Sequence, residues 1–106
     1  MKEIVFNKNE YSSFKDFYHD VCIKLRKNRF IDWRDDYEDL NYHADLLNEF
    51  LWYCYDDNNK YVFLNFDLEE IKNKKTYENY EWNLIIKIFK RHVQEFPNNQ
   101  IEFRNE

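Results

Sequence analysis

The chain has 106 residues, 43% of them hydrophobic, 21% aromatic and 35% charged, with a formal net charge of −5. That length allows one domain with one modest core, expected over residues 1–106, and ten Phe, nine Tyr and three Trp exclude a disordered chain, since such chains are poor in aromatics. The absence of glycine excludes a glycine-rich phosphate loop, a dinucleotide fingerprint and a nucleophile elbow of the usual type, and no apolar run approaches the roughly 20 residues that span a bilayer.

The N-terminus, Met1–Lys2–Glu3–Ile4–Val5–Phe6, is too short and too acidic for a signal peptide, so the expected compartment is the cytoplasm. Lys2 to Asn7 reads as a strand, and its three consecutive apolar residues suit a strand covered on both faces. Lys8–Asn9–Glu10 is a polar break. Ser13–Phe14–Lys15–Asp16 has the form of a helix start, a hydroxyl at the N-cap with an acid three residues on. From there Phe14, Phe17, Tyr18, Val21, Cys22 and Leu25 mark one face of an amphipathic helix. Lys24, Arg26 and Lys27 near its end suit the negative pole of the helix dipole.

Residues 30–41 show no usable period and read as an extended or irregular connection. A second helical pattern follows, with Ala44, Leu47, Leu51 and Cys54 on one stripe and Asp45, Asn48, Glu49 and Trp52 on or beside the other face. Asp45 and Glu49 are four apart, so they project from adjacent turns on one side. Asp56–Asp57–Asn58–Asn59 is a polar turn. Tyr61–Val62–Phe63–Leu64–Asn65–Phe66, the most hydrophobic run and rich in strand formers, is the expected central strand.

Asp67–Leu68–Glu69–Glu70 caps a short helix with Leu68 and Ile71 turned inward. After the basic break Lys72 to Lys75 a long helix begins at Thr76 or Asn79. Trp82, Ile85, Ile88, Phe89, His92, Val93 and Phe96 form its inward stripe, and Pro97 and Asn98–Asn99 end it. Gln100 to Arg104 closes as a strand with Ile101 and Phe103 on one face. The order is strand, helix, helix, strand, helix, helix, strand. Helical crossovers between successive strands predict an α/β fold with three parallel strands packed with helices.

Acid is concentrated in one place. From Asp32 to Glu49 stand Asp32, Asp35, Asp36, Glu38, Asp39, Asp45 and Glu49 against Arg34 alone, a local balance of −6. The remainder of the chain is close to neutral. A focused negative field speeds encounter with a basic partner and selects against like-charged competitors; a solvated acidic loop would have the same composition.

The order of elements in a chain of this length resembles the barstar-like family, intracellular inhibitors of secreted ribonucleases and related toxin immunity proteins. Ile4–Val5–Phe6–Asn7 resembles the family's first strand and Ser13–Phe14–Lys15–Asp16–Phe17 its first helix. Tyr61 to Phe66 followed by Asp67 resembles its central strand running into a short helix, and Leu84 through Phe89 its long helix. The family motif, a tyrosine and glycine followed by Asn-x-Asp-Ala-Leu, is most nearly matched by residues 40–51. Asn41 stands where the family has glycine and His43 where it has asparagine, and the preceding loop is longer. On this alignment Asp45 takes the place of the motif's aspartate and Glu49 that of a second, inhibitory acid. Leu47 and Leu51 keep the core-facing leucines.

The resemblance implies an immunity protein that plugs the basic cleft of a cognate toxin, a ribonuclease or other nuclease. Its carboxylates would sit where phosphates bind, in charge-assisted and often bidentate bonds to arginine. The expected contacts are Trp33, Asp35, Asp36, Tyr37, Glu38, Asp39, Tyr42, His43, Asp45 and Glu49, the aromatics supplying anchoring area. The expected protein is a monomer in a one-to-one complex, with no catalytic residue, cofactor, metal, membrane or direct nucleic-acid contact. The rival from another class is a non-inhibitory interaction or regulatory module using the same patch.

Other constellations are thinner. His19 lies three residues before Cys22, a Cys–His spacing that also belongs to the amphipathic stripe. His43, Asp45 and Glu49 could ligate a metal, although helical ligand pairs favour i and i+4. His92 reads as a hydrogen-bonded core histidine, and Cys22 and Cys54 as small buried hydrophobes. Asp35–Asp36 and Asp56–Asp57 also suit solvated turns. Lys72, Lys74 and Lys75 are too offset by acid to suggest nucleic acid.

Overall fold

The computed structural model describes residues 1–28, Leu47, Leu51 and 57–106. The elements are β1 (Lys2–Asn7), a 3-10 turn (Lys8–Glu10), α1 (Phe14–Asn28), β2 (Asn59–Leu64), α2 (Leu68–Asn73), α3 (Tyr77–Glu95) and β3 (Gln100–Arg104). The fold is α/β. Its three strands are all parallel in the order β1-β2-β3, so the hydrophobic run predicted as the central strand is central. Leu47 and Leu51 have helical backbone between α1 and β2.

Local chemistry starts each helix where the sequence signals it. The amide of Asp16 donates to Ser13 Oγ at 3.4 Å, that of Glu70 to Asp67 Oδ1 at 3.0 Å, and that of Asn79 to Thr76 Oγ1 at 3.1 Å, each satisfying an orphan first-turn donor. One cap is tertiary: the Phe14 amide donates to Glu78 Oε1 at 2.8 Å, which joins the start of α1 to the first turn of α3.

The strand register sorts side chains onto two faces. Ile4 pairs with Tyr61 and Tyr61 with Ile101, as Phe6 pairs with Phe63 and Phe63 with Phe103, all turned toward the helices. Phe17 stacks on Trp82 with ring centroids 4.7 Å apart, and Phe89 packs on Phe6 at 5.6 Å. Leu47 and Leu51 enter the same core, fully buried. On the other face Glu3, Lys60, Glu102 and Arg104 surround Val62, which is buried outside that core cluster. β1, expected to be covered on both faces, is covered unequally. Ile4 and Phe6 are buried, whereas Val5 is only half-buried, because charged side chains border this face.

β2 runs from Asn59 to Leu64, two residues earlier than the predicted Tyr61–Phe66. Asn65 ends it by taking φ 62°, the one positive φ among the described residues. In a chain without glycine, asparagine is the residue that tolerates this left-handed region. The turn is held from three sides. Asn65 N donates to the Arg104 carbonyl at 2.8 Å, Asn65 Nδ2 to Asn7 Oδ1 at 3.1 Å, and Glu106 N to Asn65 Oδ1 at 2.9 Å. The carboxyl ends of all three strands thus meet at one side chain.

The opposite ends are tied by Asn99, which is buried within the predicted turn and accepts from the Asn59 amide at 3.1 Å, whereas Asn59, expected in a polar turn, begins β2. On α3 the buried set is Trp82, Ile85, Ile86, Ile88, Phe89 and His92. Ile86 adds to the predicted stripe, and Val93 and Phe96 are half-buried.

Candidate partner-binding site

The predicted contact residues Trp33, Asp35, Asp36, Tyr37, Glu38, Asp39, Tyr42, His43, Asp45 and Glu49 lie outside the described residues, as do Cys54 and Asp56. The described residues that bear on this stretch are its two core leucines. Leu47 and Leu51 are four apart, helical and buried, as expected of an inward stripe.

Elsewhere the structure decides several assignments. Cys22 is buried and free, and burial pushes its thiol up to about 11, a rise that the Tyr18 hydroxyl only partly opposes. A thiol kept protonated is a poor nucleophile, so Cys22 beside His19 belongs to the core rather than to a catalytic pair. His92 is buried against the rings of Tyr61 and Phe96, at centroid distances of 6.0 and 5.2 Å. Its Nε2 is buried and has no hydrogen-bond partner among the described residues. Burial lowers its pKa and favours the neutral imidazole. Lys72, Lys74 and Lys75 are exposed, and Lys74 pairs with Glu70 at 3.9 Å. No group of three metal-ligating side chains occurs among the described residues, and no helix there is long and apolar enough to cross a membrane.

Two polar arrangements had no signal in the sequence pattern. The first is a chain of bonds: Tyr11 Oη donates to Asp20, Asp20 pairs with Lys24 Nζ at 2.9 Å, and Lys24 Nζ donates to the Val5 carbonyl at 2.5 Å. Burial, followed by the bond to the Asp20 carboxylate, raises the pKa of the Tyr11 phenol far above its ordinary value. Lys24 thereby serves the edge of β1 rather than the dipole of α1. The second is an open cleft of about 600 Å³ beyond the carboxyl ends of β2 and β3, lined by Asn65, Asp67, Glu69, Phe103 and Arg104 among others. The general rule that open α/β sheets bind ligands beyond their strand carboxyl ends is the one prior signal that points there.

The chain was compared with family models, with curated proteins and with solved structures, and no match was found in any of the three.

Proposed function

We propose that this chain is a barstar-like immunity protein that binds and neutralises a cognate bacterial toxin in the cytoplasm. The toxin in this reading is a ribonuclease or other nuclease whose cleft is basic because it binds phosphate. Inhibition is stoichiometric and steric: each copy presents Asp45, Glu49 and the acids between Asp35 and Asp39 to that cleft, with Trp33, Tyr37, Tyr42 and His43 as flanking contacts. Neither a cofactor nor a metal is needed for an inhibitor that offers carboxylates in place of phosphates.

The observation that carries the reading is the charge asymmetry. Residues 32–49 hold a balance of −6, which leaves the rest of the chain at +1. The parallel three-stranded sheet in the anticipated order supports it, as does the burial of Leu47 and Leu51.

The test is co-expression with the C-terminal domain of a large secreted protein encoded immediately upstream, reading growth rescue and co-purification. We expect tight binding whose association rate falls with salt. Glu49→Lys or Asp39→Lys should cost about 2–5 kcal/mol of binding, the scale of truncating a buried interfacial charge pair, and Asp56→Lys far less. Equal, negligible effects at the three positions would remove this site assignment. Binding that leaves toxin activity intact would favour the non-inhibitory interaction module instead.

A further inference from the structure

The two edges of the sheet are finished differently. Within a strand, a residue's N–H and C=O point to the same side, and that side alternates along the chain. Lys2 N donates to the Asn58 carbonyl at 3.0 Å, so Lys2, Ile4 and Phe6 face β2, and Glu3, Val5 and Asn7 turn their backbone groups to the outer edge of β1. That edge is stopped at its middle, where the Lys24 ammonium occupies the Val5 carbonyl at 2.5 Å. A lysine at an exposed edge is a common device against strand addition.

Among the described residues no side chain occupies a backbone group on the outer edge of β3; Lys90 Nζ lies over the Phe103 ring, 5.2 Å from its centre, without bonding a strand carbonyl. The Arg104 carbonyl accepts from Asn65 N at 2.8 Å, so Gln100, Glu102 and Arg104 face β2, and Ile101 and Phe103 direct their N–H and C=O groups outward. Among the described residues nothing pairs with them.

The geometry points to a second copy of this chain on that edge, pairing antiparallel β3 to β3 about a two-fold axis through Phe103. In this register Phe103 lies opposite Phe103 of the other copy and exchanges both backbone bonds with it, and Ile101 lies opposite Asn105. Glu102 then lies opposite Arg104 on the open face, twice by symmetry, as a closely spaced non-hydrogen-bonded pair. The strand is therefore self-complementary in charge: each copy supplies one acid and one base, which pair with each other at 2.8 Å within the single chain and share that contact with the second copy on association. Sliding the strands by one pair of positions places Glu102 against Glu102, and like charges directly opposite destabilise a ladder. The pairing joins two three-stranded sheets into one of six strands and covers the backbone groups of Ile101 and Phe103. It replaces the expected monomer with a dimer.

The experiment is sedimentation velocity on the chain alone, which makes it independent of any toxin. The expected result is a concentration-dependent shift from 13.5 kDa to twice that mass. E102R and R104E, taken singly, should each sediment as monomers, because each sets like charges opposite one another. Mixed in equal amounts they should form a heterodimer, since both bases of the E102R chain then face both acids of the R104E chain. The double swap E102R/R104E should dimerise like the original. Amide exchange of Ile101 and Phe103 in the unsubstituted chain should slow as concentration rises, a readout that needs no variant to fold. A mass of 13.5 kDa up to about 1 mM, the weakest affinity worth calling an association, overturns the proposal. So do single variants that dimerise unchanged, or edge amides that gain protection only when a toxin is added.

Discussion

Adjacent residues of β2 live in two different kinds of structure. Tyr61 and Phe63 are buried in an aromatic layer, where Phe63 meets Phe6, Phe89 and Phe103 at ring-centroid distances of 5.3 Å each. Val62, between them, is equally buried but lies under a ring of charges. Lys60 pairs with Glu3 at 3.8 Å and Glu102 at 3.5 Å, and Arg104 pairs with Glu102 at 2.8 Å and, across β2, with Glu3 at 3.9 Å. One face is held by shape and dispersion among interlocking rings. The other is bordered by partly exposed charged side chains joined in ion pairs, with Glu102 Oε2 and Arg104 Nε themselves buried. The first should be indifferent to salt, and the second should not.

The largest expected effect tests the aromatic face. Phe63→Ala removes a fully buried ring in contact with those of Phe6, Phe66, Phe89 and Phe103 and should cost about 3–5 kcal/mol in urea unfolding, with little change between low and high salt. Next comes the strand end where the two faces meet. Asn65→Ala puts a less tolerant residue at φ 62°, takes from the Glu106 amide its acceptor and from Asn7 Oδ1 one of its two donors, the other being the Asn9 amide, a loss of about 1–3 kcal/mol by the same titration.

A smaller effect concerns pH. Because burial lowers the pKa of His92 in the folded chain, the unfolded chain takes up its proton first as pH falls. The contribution of this residue is therefore complete above the ordinary histidine value near 6.5 and is lost as pH falls from there through the lowered value. His92→Leu should flatten that part of the stability–pH curve, and an unchanged slope would contradict the assignment. The smallest effect tests the charged face. Lys60→Ala should cost below about 1 kcal/mol, since its partners are surface groups, and the difference from the original should shrink further in 1 M salt. A loss comparable to that of Phe63→Ala would erase the distinction between the faces.

The chain pattern by itself determined most of the frame. Hydrophobic period separated α1 and α3 from β1, β2 and β3, and capping residues marked starts at Ser13, Asp67 and Thr76 because their signals are local, a few residues long and set by backbone hydrogen bonding. The focusing of acid between Asp32 and Glu49 was equally legible, since charge can be counted without coordinates. What only the tertiary structure decided are relations between residues far apart in sequence. Asn65 shortens β2 because its side chain meets Asn7 and the Glu106 backbone, and Asn99 is buried because it receives the Asn59 amide. Lys24 leaves the end of its helix for a carbonyl 19 residues earlier. Each of these bonds joins polar groups whose composition alone reads as solvated surface. Proximity in the folded chain gives them their role, and that proximity depends on which strands and helices come together.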